Sequence, residues 1–172
     1  MKYFVYLIVL LGASLTSFSQ DLTGIWKGTL HNDSTQQSYQ YEIVISKTSG
    51  KYNAYSYTWF QDKDTKYYGI KKLKVRIAKD GKVIMQDAET VENNYPIHPD
   101  KNIFQLNVLD LVSNGDESTL DGLFVTNRTR EFHEHSGRIS MKRVTAAIAN
   151  NDLVQNFHIN NTVGTVANLS VR

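Results

Sequence analysis

The fold is decided by the stretch Leu22-Thr23-Gly24-Ile25-Trp26-Lys27-Gly28-Thr29-Leu30, the first segment of the chain with the pattern of a folded domain. Its even-numbered positions, with Trp26 between Gly24 and Gly28, share one face, and its odd-numbered positions share the other. Alternation with a period of two is the signature of a β-strand. Glycine weakens a strand and often marks a site where a second backbone or a large ring comes close. We therefore predict that Trp26 closes one end of a β-barrel.

Seven further segments before residue 144 show strand character, with mostly short turns and no helical period between them. The strongest turn signal is Asp80-Gly81, a pair that favours a tight hairpin. Consecutive strands with short connections usually pair as neighbours, and closure into a barrel removes the unpaired edges. The chain is therefore predicted to be all-β, an eight-stranded antiparallel up-and-down β-barrel, with a two-sheet sandwich as the alternative. The predicted strands after the first are 39–46, 52–60, 67–78, 83–89, 102–112, 119–126 and 137–144.

The beginning of the chain has the pattern of an export signal. Lys2 supplies a positive charge, residues 3–11 are continuously apolar, and Ser17 and Ser19 are small residues of the kind that a signal peptidase reads. Residues 1–19 are thus predicted to be a signal peptide, cleaved before Gln20 or Asp21. The apolar run is too short for a membrane span of roughly 20 residues. We expect an exported protein of the periplasm or extracellular space, without stable membrane insertion.

The end of the chain differs from the strands before it. Residues 20–144 are assigned to the barrel, and residues 145–172 carry a weaker pattern. Apolar side chains in that segment are spaced as in a short helix. The segment is predicted to be a C-terminal helix or tail that docks outside the barrel, or a linker. The apolar positions are Ala146, Ile148, Ala149, Leu153, Val154 and Phe157.

The composition excludes several kinds of function. The chain has no cysteine, which rules out disulfides, thiolate metal ligands, a cysteine nucleophile and a lipid-anchored N-terminal cysteine. A formal net charge of +2 gives no argument for binding to nucleic acid. The sequence has no nucleophile elbow and no glycine-rich phosphate loop, and its aspartates are dispersed over turns and strands. We therefore predict no catalytic residues, no enzymatic activity and no cofactor.

Aromatic residues concentrate in the second to fourth predicted strands. Tyr55, Tyr57 and Trp59 share one face of the third strand. Aromatic side chains combine flat apolar area with a polar group, which suits the wall of a binding pocket. We hypothesise that these three line the wall of the barrel, and the alternative is that they form cross-strand pairs that stabilise the sheet. Separately, Lys71, Lys72, Lys74 and Arg76 form a basic stripe on the fourth strand, predicted to be a solvated outer face.

The histidines define a second candidate region. Connections after the first, third, fifth and seventh strands gather at the end of the barrel opposite Trp26, which places His31, His98, His133 and His135 at its rim. If the run 130–135 is extended, His133 and His135 share a face, and two such imidazoles are able to bind one zinc ion. The alternative is a solvated loop, and we predict no metal. The rim connections are residues 31–36, 61–66, 90–101 and 127–136.

The pattern Gly24-x-Trp26, at the start of the first strand and after a signal peptide, resembles the lipocalin (calycin) superfamily, and more closely the lipocalin-like domains of bacterial exported proteins. As a topology the resemblance spans residues 21–144. It implies that an arginine near the end of the last strand lies across Trp26. An antiparallel eighth strand ends beside the start of the first, and Arg143 shares a face with Ile139 and Met141. Arg143 is therefore the candidate partner of Trp26, as a cation over an indole.

The resemblance also implies a function, which is the binding of a small apolar molecule inside the barrel. On this interpretation Tyr55, Tyr57, Trp59, His133 and His135 are the candidate ligand-binding residues. The alternative is an interaction domain, periplasmic or at the cell surface, whose barrel is filled by side chains and holds no ligand. The two differ in the barrel interior, because only the first requires a cavity.

Overall fold

The computed structural model describes residues 21–96, 102–115 and 117–144, and these form one closed barrel. Each strand pairs antiparallel with its sequence neighbours, and the last pairs with the first. The predicted eight-stranded antiparallel up-and-down barrel is confirmed, and the two-sheet sandwich is not the fold. The predicted signal peptide and C-terminal helix or tail lie outside the described residues. The strands are β1 (Gly24–Asn32), β2 (Gln37–Thr48), β3 (Lys51–Asp62), β4 (Thr65–Ile77), β5 (Val83–Asn93), β6 (Gln105–Asn114), β7 (Glu117–Thr126) and β8 (Ser136–Val144).

Alternation along each strand divides its side chains between the interior and the outer surface, as a pleated backbone requires. The even-numbered residues of β1 point inward, and Trp26 lies opposite Ile43 of β2. The main core is contiguous and lies toward the Trp26 end of the barrel. Its largest fully buried side chains are Trp26, Tyr41, Leu22, Ile43, Ile45, Met85, Leu109, Leu120, Ile139 and Met141. No helix long and apolar enough to cross a membrane occurs in the described part of the chain.

Trp26 and Arg143 close one end of the barrel. The indole is fully buried, and its Nε1–H donates to the carbonyl of Leu22 at 3.0 Å. The register of β1 against β8 pairs Trp26 with Arg143, and the guanidinium carbon lies 4.7 Å from the indole ring centroid. The predicted burial and cation–π contact are thus both present. Arg143 also donates to the carbonyl of Asp21, which ties the chain entering β1 to the end of β8.

Gly28 allows β1 and β8 to approach each other. A Cβ placed on Gly28 would lie 1.9 Å from the carbonyl oxygen of Ser140 and 2.7 Å from the Cα of Met141. Both atoms belong to the backbone of β8, so no rotamer change could relieve the overlap. The prediction that a glycine beside Trp26 marks a close approach is confirmed here, since the partner is a neighbouring backbone.

The predicted contrast between tight turns at the Trp26 end and longer connections at the opposite end is present only in part. The β4–β5 connection at the Trp26 end, residues 78–82, is longer than the β1–β2 connection opposite, residues 33–36. Turns at Gly50, Gly81 and Gly115 have positive φ and sit at the Trp26 end. At the opposite end the β5–β6 and β7–β8 connections are long. The β3–β4 connection is shorter than predicted, because Lys63 takes a positive φ of 52° and makes a two-residue turn.

The fifth and sixth strands also end at places that the sequence did not indicate. β5 continues to Asn93 along β4, through two register shifts. Its ladder with β6 covers only Val83↔Leu109 to Gln86↔Leu106. In the described part of the chain, β5 and β6 therefore separate toward the open end of the barrel, and β6 begins at Gln105 instead of residue 102.

Candidate ligand-binding site

A cavity of about 300 Å³ lies at the open end, beyond the core. This is the lower end of the volume range of small-molecule sites. Small residues make room for it, among them Ser56 and Thr58 on the inner face of β3 and Gly69 on β4. Aromatic side chains supply most of the apolar wall, and they are Tyr39, Tyr41, Phe60, Tyr95, Phe124 and Phe132.

The predicted aromatic wall is on the other face of the sheet. Tyr57 is buried against Ile25, Val44 and Ile70 in a cluster outside the barrel, with Trp59 packed at its edge. The register agrees, since Ser56, not Tyr57, is paired with the inward-pointing Ile43. The prediction that Tyr55, Tyr57 and Trp59 line the cavity is therefore wrong.

Packing around β3 explains why these aromatic side chains point outward. The Tyr57 ring lies 5.9 Å from the ring of Tyr68 on β4, and the Lys66 Nζ lies 4.3 Å from the Trp59 ring centroid. Contacts between side chains of neighbouring strands stabilise a sheet, which is the alternative that the sequence left open. Large rings in place of Ser56 and Thr58 would instead fill the space that the cavity occupies.

An ion pair forms the polar part of the cavity wall. The Lys71 Nζ lies 2.5 Å from Oδ2 of Asp87, and the Asp87 side chain is only 5% exposed. The same carboxylate oxygen accepts the backbone N–H of Gln105 at 3.0 Å. Asp87 follows the last pair of the β5–β6 ladder, so its carboxylate takes a backbone donor of β6 where the two strands separate.

Both members of this ion pair were missed as site residues. Lys71 does not belong to the exposed basic stripe with Lys72, Lys74 and Arg76, and that part of the prediction is wrong. The available signal was parity, since Lys71 shares its face of β4 with the buried Leu73. Asp87 likewise shares its face of β5 with Val83 and Met85, both fully buried.

A chain of hydrogen bonds among Gln105, Asn107 and Tyr41 runs between the core and the cavity. The amide of Asn107 donates to the Tyr41 hydroxyl at 3.3 Å, and Gln105 Nε2 donates to Asn107 Oδ1 at 2.8 Å. Burial is the main cause that raises the pKa of Tyr41 far above its ordinary value, and the nearby Asp87 carboxylate adds to it. The Tyr41 hydroxyl is therefore neutral at physiological pH and presents a hydrogen-bonding group to the cavity.

Tyr95, from the connection after β5, covers part of the cavity. Its ring is nearly parallel to that of Phe60, at 18° and 6.3 Å between centroids. Gly69 makes this position available, because a Cβ there would lie 2.5 Å from the Tyr95 hydroxyl. Burial raises the pKa of Tyr95 to about 12, so its hydroxyl also stays protonated.

The histidines do not form one cluster. His135 lines the cavity, with its ring 4.9 Å from that of Phe132, and its Nδ1 is buried without a hydrogen-bond partner. His133 is exposed and does not line the cavity. His31 faces outward, where Nδ1 contacts the Ser38 hydroxyl at 2.9 Å, and His98 lies outside the described residues. Within the described ranges, no group of three or more histidine, aspartate or glutamate residues could hold a metal ion.

The fold and the site together define a closed eight-stranded barrel that is packed at one end and hollow at the other. No protein-family model, curated protein or solved structure matches this chain. The interpretation of the cavity therefore depends on its own residues.

Proposed function

We propose that this protein binds a small ligand with a mainly apolar body in the cavity at the open end of the barrel. The observation that supports the proposal best is the cavity of about 300 Å³ with its aromatic wall and few polar groups. Ligand sites commonly combine apolar walls with a small number of polar groups that fix the orientation of the ligand. An interaction domain with a filled barrel would not require this space.

The features outside the cavity fit the same proposal. The contact between Trp26 and Arg143 supports the resemblance to lipocalin-like domains, and the sequence of residues 1–19 supports binding outside the cytoplasm. The proposal includes no catalytic step. Tyr41 and Tyr95 have raised pKa values, which hold their hydroxyls protonated and do not activate them as bases.

Titration with N-phenyl-1-naphthylamine, an uncharged apolar fluorophore, tests the proposal. Thr58→Trp fills the cavity from the inner face of β3, whereas Tyr55→Trp places the same side chain on the outer face of that strand. We expect the wild type and Tyr55→Trp to bind the probe, and Thr58→Trp to bind at least about tenfold more weakly, a loss of about 1.4 kcal/mol.

Far-UV circular dichroism of all three proteins shows whether the barrel is retained. Absence of probe binding by the wild type would contradict the proposal and favour the interaction domain. Equal binding by the two folded variants would place the probe outside the cavity, which also contradicts it.

A further inference from the structure

The charges in the cavity wall cancel each other. Among the described residues that line the cavity, Lys71 and Asp87 are the only lysine, arginine, aspartate or glutamate. Their charged atoms are 2.5 Å apart, so each is neutralised by the other at contact distance. The wall therefore offers polar atoms to a ligand, and these two side chains together contribute no net charge.

The two members of the pair differ in how much of their hydrogen-bonding capacity is already occupied. Asp87 is nearly fully buried, and its Oδ2 already accepts from both Lys71 and the Gln105 backbone. Lys71 is 27% exposed, and its ammonium group has three N–H bonds, of which Asp87 accepts one. Lys71 consequently presents to the cavity a hydrogen-bond donor whose charge Asp87 already compensates.

A charged ligand would be at a disadvantage in this position. Burying an ion is strongly unfavourable unless an opposite charge compensates it. Attraction of an anion to Lys71 would be opposed by repulsion from Asp87 beside it, and a cation would meet the reverse arrangement. An uncharged oxygen acceptor has a smaller desolvation cost and gains a hydrogen bond to a charged donor.

We propose that the cavity selects uncharged ligands, namely molecules with a flat apolar body and a carbonyl or hydroxyl oxygen that accepts a hydrogen bond from Lys71. The Lys71–Asp87 pair is then the determinant of specificity, because it rejects anions and cations alike. The parallel rings of Phe60 and Tyr95 form the part of the wall that suits a flat body. This inference rests on the proposed function and adds the chemical class of the ligand to it.

Three isosteric compounds test the selection. The neutral 2-naphthamide, the anionic 2-naphthoate and the cationic 2-naphthamidinium share one bicyclic body and one planar polar group, and they differ in charge. Each is titrated as a competitor against bound N-phenyl-1-naphthylamine at pH 7. We expect 2-naphthamide to displace the probe from the wild type at a concentration at least about tenfold lower than either ion does.

Two variants of the ion pair should redirect the preference. Asp87→Asn leaves Lys71 uncompensated, so the affinity for 2-naphthoate relative to 2-naphthamide should rise at least about tenfold. Lys71→Met leaves Asp87 uncompensated, so the relative affinity for 2-naphthamidinium should rise in the same way. Asp110→Asn is the matched control, because Asp110 forms an exposed ion pair with Lys82 outside the cavity, and it should leave the order unchanged.

Binding of the fluorophore by each variant reports that the cavity is intact, and each of the two variants decides the question independently if the other does not fold. A wild type that prefers an ion, or binds all three compounds equally, overturns the selection of neutral ligands while the proposed function stands. An unchanged order in both folded variants overturns the role of the pair. A wild type that binds none of the compounds and no fluorophore overturns the proposed function as well.

Discussion

Removal of the Trp26 side chain tests the closed end of the barrel. Trp26→Ala deletes a fully buried indole, and truncation of a large aromatic residue in a core costs about 3–5 kcal/mol. The same change leaves the Leu22 carbonyl without the indole donor at 3.0 Å and removes the ring beneath the Arg143 guanidinium at 4.7 Å. These losses overlap with the truncation cost, so the expected decrease in the free energy of unfolding is about 4 kcal/mol.

The second tryptophan of the chain provides a matched control. Trp59 is partly exposed on the outer face of β3, with the Lys66 ammonium 4.3 Å from its ring centroid. Trp59→Ala should therefore cost about 1 kcal/mol, the centre of the range for single substitutions.

Urea denaturation followed by far-UV circular dichroism measures both variants without depending on tryptophan fluorescence. A domain is stable by about 5–15 kcal/mol, so Trp26→Ala could leave little folded protein. Trp26→Phe is a milder variant that keeps a ring but loses the indole N–H, and it should cost about 1–3 kcal/mol. A cost for Trp26→Ala no larger than that for Trp59→Ala would refute the role of Trp26 as the closing residue.

Two further predictions concern pH and backbone contact. Burial raises the pKa of Tyr41 above its ordinary value of 10.0. The folded state therefore keeps a proton that the unfolded state releases, and the free energy of unfolding should fall as the pH rises above about 10. In urea titrations between pH 9 and 11, Tyr41→Phe should show a smaller fall than the wild type, and an equal fall would contradict the assignment. Gly28→Ala should cost about 3 kcal/mol or more, because its Cβ would overlap the Ser140 carbonyl, whereas Gly50→Ala, with a φ of +80° and open space around it, should cost about 1–2 kcal/mol in the same assay.

The sequence was sufficient for the strand order and for the closed end. Alternation is a local property of the backbone, and short connections leave few ways to arrange eight consecutive strands. That order places the end of β8 beside the start of β1, and the resemblance to lipocalins implied an arginine there. Together they allowed the contact between Arg143 and Trp26 to be predicted across more than one hundred residues of chain. The position of the long β5–β6 and β7–β8 connections at the opposite end follows from the same argument.

The sequence was insufficient for the cavity, and β3 shows why. Its alternation defines two faces, one with Tyr55, Tyr57 and Trp59 and the other with Ser56 and Thr58. Assigning the more apolar face to the interior is the natural choice for a filled barrel, but a barrel with a cavity needs its small side chains inside. Only the pairing of Ser56 with Ile43 shows which face points inward.

The sequence by itself thus determined which residues alternate together, which strands are neighbours and which end Trp26 closes, because each of these depends on the backbone period and on the connection lengths. Only the tertiary structure decided which alternating face is inside β3 and that Lys71 meets Asp87. Lys71 and Asp87 are sixteen residues apart along the chain, and they meet at 2.5 Å where β5 shifts its register against β4. Contacts of that kind depend on how curved strands pack around a shared interior, and neither residue's local sequence carries that information.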